Sequence, residues 1–180
     1  PFAPCESASP PSPPLAVPVA LRALGYTDSQ ITDIIAYSKG HGTLVGSPFI
    51  NHESHIAKGF TSADLSAIEH ALAGAFDIAF TFTPSILGPA TFDRLGVTAE
   101  AARQPGFNLL AHLGYSPSEI TAANEYVCGT MTIEGAPHLR REHYPIFDCA
   151  NKCGTRGTRY IHFLGHVRML AAVQPFLSGS

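Results

Sequence analysis

The sequence predicts a mainly α fold of short capped helices, joined by long glycine- and proline-rich loops and with little sheet. Three observations predict it. One helix-starting device recurs along the chain: a glycine, an aromatic residue, then Ser or Thr, then a helical run. Its copies are Gly25-Tyr26-Thr27, Gly59-Phe60-Thr61 and Gly114-Tyr115-Ser116, with a weaker fourth at Gly96-Val97-Thr98. Residues 40–57 and 129–157 are punctuated by Gly and Pro in a way that suits loops. Finally, two stretches match at a constant offset. Leu24-Gly25-Tyr26-Thr27 aligns with Leu113-Gly114-Tyr115-Ser116, Tyr37 with Tyr126, and Gly40, Gly46 and Pro48 with Gly129, Gly135 and Pro137.

Each copy of the device has the same physical logic. The glycine accepts the left-handed conformation that ends a helix. The hydroxyl of Thr27, Thr61 or Ser116 accepts an otherwise unpaired backbone N–H at the next helix start. Gln30 and Glu119, three residues on, can complete a capping box, and Tyr26/Ile31, Phe60/Leu65 and Tyr115/Ile120 have the spacing of hydrophobic staples. Pro117 suits the first helical position, where its missing N–H costs nothing. Helices are therefore expected at about 16–24, 28–38, 62–75 and 117–127, with short ones near 85–94, 98–103 and 106–113. A long amphipathic helix is expected at 159–173 with the stripe Phe163, Val167, Leu170 and Ala171. Met131-Thr132-Ile133 is a candidate short strand. Residues 1–14, with six prolines, read as a disordered tail, and 15–180 as one helical module with related units at about 16–58 and 105–145.

Composition narrows the functional classes. Eleven Lys and Arg against fourteen Asp and Glu give a net charge of −3, which disfavours direct nucleic-acid binding through phosphates. The only basic cluster is Arg140, Arg141, Lys152, Arg156, Arg159 and Arg168. Charged residues make up 14% of the chain, against about 25% in typical soluble domains, which suits a surface partly covered by other protein. No apolar run is long enough to span a bilayer and no signal peptide is present, so the reading is a reducing cytoplasm. There, clustered cysteines suggest metal or redox chemistry more than disulfides.

Cys128, Cys149 and Cys153 with His143 are the candidate metal ligands, since three thiolates and one imidazole would form a tetrahedral structural zinc site. Other constellations are weaker. Asn51-His52-Glu53-Ser54-His55 misses the metalloprotease pattern, because its histidines are three apart rather than four. His162 and His166 share a helix face that suits a surface better than a metal site. Gly40-His41-Gly42-Thr43 lacks the lysine of a phosphate-binding loop, and no Gly-x-Ser-x-Gly elbow is present. No residue is assigned a catalytic role.

Long strings resemble one family, the large subunit of adenosylcobalamin-dependent (class II) ribonucleotide reductases. They are Tyr126-Val127-Cys128-Gly129-Thr130-Met131-Thr132-Ile133-Glu134-Gly135-Ala136-Pro137-His138-Leu139, then Glu142-His143-Tyr144-Pro145-Ile146-Phe147-Asp148-Cys149-Ala150-Asn151, and His166 to Phe176. Gly40-His41-Gly42-Thr43-Leu44, Ile50-Asn51-His52-Glu53, Ala57-Lys58-Gly59-Phe60-Thr61 and Ala75-Phe76-Asp77-Ile78 fit as well. The resemblance covers about residues 16–179.

It implies an oxidoreductase of the ribonucleoside-diphosphate reductase type, which makes deoxyribonucleotides for DNA synthesis. Its α/β barrel holds a cysteine that becomes a thiyl radical when adenosylcobalamin's cobalt–carbon bond breaks. Two further cysteines supply electrons, and a glutamate assists proton movement. The family's Asn-Pro-Cys-Ser-Glu segment is absent here, and Cys128, Cys149 and Cys153 match a different stretch, so none of these roles transfers to them. Ser178 and Gly179 match the edge of a substrate-phosphate loop. The expectation is an insertion segment of the barrel enzyme, inactive alone. Its partners would be the remaining barrel, the ribonucleotide substrate and a second copy in a homodimer. The alternative is a metal-stabilised interaction module without catalysis.

Overall fold

The computed structural model describes residues 16–176. Among them the regular structure is helical, with no β-strand. Ten α-helices follow one another: α1 (Ala16–Ala23), α2 (Asp28–Lys39), α3 (His52–Ala57), α4 (Ser62–Leu72), α5 (Pro84–Leu87), α6 (Pro89–Arg94), α7 (Ala99–Ala102), α8 (Leu109–His112), α9 (Pro117–Cys128) and α10 (Phe163–Val173). Short 3-10 turns occupy Ile78–Thr81, Arg141–Phe147 and Gln174–Phe176. None of the described helices is long and apolar enough to cross a membrane.

The cap logic holds in detail. Thr27, Thr61 and Ser116 each accept the backbone N–H three residues on, and Gln30, Asp64 and Glu119 return a bond to the cap's own N–H. Thr98 caps α7. Gly25, Gly59, Gly96 and Gly114, which precede the four starts, all have φ between 75° and 98°. The aromatic of each full copy is buried, as is Val97 in the fourth.

Several expectations change. Residues 40–57 are not all loop: Asn51 forms a capping box with Ser54 and starts α3. Asparagine is as good a cap as Ser or Thr, but no glycine–aromatic pair announces it. Met131-Thr132-Ile133 forms no strand, because Met131 takes φ 55° and turns the chain. The region 85–94 divides into α5 and α6 at Gly88, whose φ of 76° ends one helix just before Pro89 starts the next. The last helix begins at Phe163 rather than near 159, capped by His162. The tail at residues 1–14 lies outside the described residues.

Two apolar clusters form the interior, and they are interleaved. One unites α1 and α2 (Leu21, Tyr26, Ile31, Ile34) with Ala136 and Leu139 from the loop after α9. The other unites α4, α8 and α9 (Leu65, Ile68, Leu109, Leu110, Val127) with Leu44 and Ile50 from the loop after α2. The exit loop of each helix is thus buried beneath the opposite helix.

The crossing is reciprocal bond for bond. His41 N–H donates to Tyr126 O (2.9 Å) and Thr130 N–H to Tyr37 O (3.0 Å); Gly42 N–H donates to Val127 O (2.9 Å) and Met131 N–H to Ser38 O (2.9 Å). Tyr37 Oη donates to Glu134 O (3.0 Å) and Tyr126 Oη to Val45 O (3.1 Å). Each partner pair maps onto the other at the offset that aligns Tyr37 with Tyr126. The same pairing relates Tyr26 to His143 and Tyr115 to Ser54.

Candidate functional site

An apolar trough of about 620 Å³ lies between α1, α2, the turn at 131–134 and the 3-10 segment ending at Phe147. Ile34, Ile35, Ile133, Ile146 and Phe147 furnish its walls, and Cys149, Cys153 and Arg159 reach it from the last loop. Its rim is a tight ionic clasp. Arg159 Nε and Nη2 donate to the two oxygens of Asp148, both at 2.7 Å. The Glu134 carboxylate accepts from the N–H groups of Thr158 (2.9 Å) and Arg159 (2.8 Å) and from Thr158 Oγ1 (2.8 Å). Burial pushes the Glu134 carboxyl up, but these bonds and the Arg159 charge outweigh it and hold the group below its ordinary range. The hydrogen bonds that Arg159 donates to Asp148 raise it above its usual value. Together these bonds tie residues 148–159 to the turn at 131–134.

The proposed zinc ligands do not come together, which corrects the tetrahedral reading. Cys128 ends α9 inside the core, where burial and then the Asp77 charge push its thiol up to about 11. His143 Nδ1 lies 2.7 Å from Tyr26 Oη, which also accepts Arg140 N–H at 3.0 Å. The Tyr26 hydroxyl thus engages both the Arg140 N–H and the His143 ring. Only Cys149 and Cys153, of the four, line the trough. Among the described residues no three His, Cys, Asp or Glu side chains converge as a metal site would require. The sequence spacing was suitable, but the helix end buries one thiol and the crossing engages the imidazole.

Four further histidines have structural partners. His55 is fully buried among Phe60, Phe82 and Tyr115, with Nδ1 2.8 Å from Asn51 O. His52 Nε2 meets Glu69 Oε1 at 2.7 Å, and that carboxylate also accepts Leu44 N–H. His41 stacks on Tyr126 with ring centroids 4.0 Å apart, and the N–H groups of His41 and Gly42 are committed to the crossing rather than free for a phosphate. His162 caps α10 through Nδ1. The basic cluster is dispersed into pairs: Arg140 with Glu142, Arg156 with Glu125, and Arg159 with Asp148.

One buried polar group went unseen in the sequence. Asp64 closes the α4 capping box and also accepts from Thr91 Oγ1 (2.6 Å) and the Arg94 guanidinium, so it ties α4 to α6. The available signal was an acidic residue at the third helical position after Thr61.

The described residues do not assemble a seat for a corrin. The trough lining contains no imidazole, and its volume is that of a pocket for a small ligand.

Comparison with known proteins supplies the context that the geometry alone does not. No family model matches the chain. It is 53% identical over 166 residues, 92% of its length, to a vitamin B12-dependent ribonucleotide reductase of Bradyrhizobium diazoefficiens. It is 51% identical over 167 residues, again 92% of its length, to the protein of that name from Agrobacterium fabrum. A shorter match, 48% identical over 71 residues and 39% of the chain, links it to the same named enzyme from Rhodopirellula baltica.

The chain is homologous to one segment of these reductases. It spans 13% of the length of the Bradyrhizobium and Agrobacterium proteins and 7% of that from Rhodopirellula. The reciprocal crossing, the Arg159 clasp and the buried His55 are accordingly features of a reductase segment.

Proposed function

We propose that this segment braces a vitamin B12-dependent ribonucleotide reductase, which converts ribonucleotides to deoxyribonucleotides in the cytoplasm, and that it does not catalyse alone. The carrying observation is the identity of 53% over 92% of the chain to a protein of that name, of which the chain represents 13%. The structure supports the bracing role in two ways. Many of its polar groups are engaged in caps, the crossing and the Arg159 clasp. Its last helix, α10, has no buried residue, and Phe163, Val167, Met169 and Leu170 are all more than half exposed. A contiguous apolar surface of this kind is the mark of an interaction face. The remaining polypeptide of the reductase is the partner we assign to it.

Adenosylcobalamin belongs in this reading to the rest of the enzyme, where it would supply the radical. The diphosphate level of the substrate and the proximity of Ser178 and Gly179 to its phosphates are parts of the same proposal; those two residues lie outside the described ones. The metal-stabilised alternative lacks a converging donor set among the described residues. The test compares the purified chain with a full-length relative, with and without this segment, assayed with ribonucleotide, adenosylcobalamin and a dithiol. The chain alone should give no turnover, and deletion of the segment should abolish that of the full enzyme. Turnover by the isolated chain, or an unimpaired deletion variant, would overturn the proposal.

A further inference from the structure

Neither the crossing nor the bracing role uses the two thiols at the rim of the trough. Cys149 and Cys153 are both free thiols, four residues apart across one turn, and both line the trough. Each sulfur otherwise has only a weak bond to a backbone carbonyl, Cys149 to Phe147 O at 3.7 Å and Cys153 to Asn151 O at 3.6 Å. The turn is held from both sides. Ile161 N–H donates to Cys149 O at 2.8 Å, and Gly157 N–H to Cys153 O at 3.1 Å. Gly154, at φ 62°, lies so close to Thr130 O that no side chain fits there. The turn that carries the pair is therefore anchored at both ends. Cys149 is exposed and Cys153 partly covered, whereas Cys128 is shut in the core.

We propose that Cys149 and Cys153 form a reversible dithiol–disulfide site, with a small-molecule or protein disulfide as the oxidant. The exposed Cys149 thiolate attacks one sulfur of that disulfide. The incoming S–S bond breaks, a mixed disulfide forms at Cys149, and one thiolate leaves and takes up a proton. Cys153 then loses its proton and attacks Cys149 Sγ, expelling the second thiol. Two protein thiols are oxidised and one external disulfide is reduced to two thiols, so atoms and electrons balance. Burial, then contact with Cys149, keeps the Cys153 thiol protonated beyond its ordinary range, which suits a resolving partner better than a first attacker. The closed ring contains Ala150, Asn151 and Lys152, and its backbone anchors Ile161 just before α10. This inference is independent of the reductase reading.

Trypsin cuts after Lys152, between the two cysteines, so the bond has a direct signature. The intact chain is incubated with oxidised glutathione, quenched by alkylation, digested and read by mass spectrometry. The expected product is residues 142–152 joined to residues 153–156, released by dithiothreitol. The Cys153→Ser variant should instead accumulate glutathione on Cys149. Persistent glutathione on Cys149 in the unaltered chain, pairing of either residue with Cys5 or Cys128, or two alkylated thiols under oxidising conditions would each overturn the proposal.

Discussion

Gly40 and Gly129 stand back to back at the ends of α2 and α9, so close that a Cβ on either would run into the backbone of the other's segment. Both have φ near 75–80°, a region that non-glycine residues rarely enter. The contact lets the two exit chains pass and exchange their four backbone hydrogen bonds.

Alanine at either position should destabilise the fold by about 3 kcal/mol, combining backbone strain with a clash that no side chain can relieve. Gly42 is the internal control. It has φ 67° with open space around it, and its counterpart across the crossing, Met131, carries a side chain at φ 55°. Gly42→Ala should therefore cost only about 1 kcal/mol. Urea unfolding midpoints of the three variants check this; equal losses would show that the close approach does not matter.

Tyr26→Phe should cost about 1–3 kcal/mol, because it leaves Arg140 N–H and His143 Nδ1 without their shared partner at a site where Tyr26 is 8% exposed. Tyr115→Phe removes a single bond to Ser54 and should cost about 1 kcal/mol. Thermal unfolding of the pair ranks them.

His55 makes the fold acid-sensitive. Burial, the largest influence, lowers its pKa; the bond to Asn51 O opposes this, and the His52 and Lys58 charges add to it. In the unfolded chain the imidazole binds its proton near pH 6.5. Below that pH the unfolded state holds more protons than the folded one, so stability falls as pH drops from about 7 toward 5. Chemical denaturation at pH 7.5, 6.5 and 5.5 should show this slope, and His55→Phe should flatten it.

Asp64 behaves in the opposite ionic sense. Burial pushes its carboxyl up, but bonds from Thr91 and Thr61 and the charge of Arg94 prevail and hold it below the ordinary value. Its contribution is present above the unfolded pKa and is lost as pH falls through the lower folded one. Asp64→Asn should cost about 1.5–3 kcal/mol at pH 7, the range for hydrogen bonds to a charged group. The loss should shrink below about pH 4, which a denaturation series would reveal.

Local grammar made most helices legible, because a cap is decided by residues within three or four positions. Thr27, Thr61, Ser116 and Thr98 announced themselves in this way. The offset that aligns Tyr37 with Tyr126 was visible too, but not its physical meaning, since nothing local says that Tyr37 bonds Glu134 and Tyr126 bonds Val45 across the chain. The same gap misled the metal reading. Cys128 and His143 had suitable spacing, yet tertiary burial and the phenol of Tyr26 decided their roles. α3 was missed because its Asn51 cap lacks the preceding glycine and aromatic.

The exposed face of α10 separates stability from assembly. Val167 and Leu170 are 53% and 59% exposed, so replacing either with Glu removes little buried area and should change the chain's unfolding free energy by no more than about 0.5 kcal/mol. In a full-length reductase the same face would be covered, and a buried, unpaired carboxylate there would be costly. The expected outcome is a chain with unaltered thermal unfolding whose full-length counterpart loses most of its turnover or fails to fold. Equal tolerance in both contexts would mean that α10 faces solvent in the whole enzyme, and the bracing surface would have to lie elsewhere.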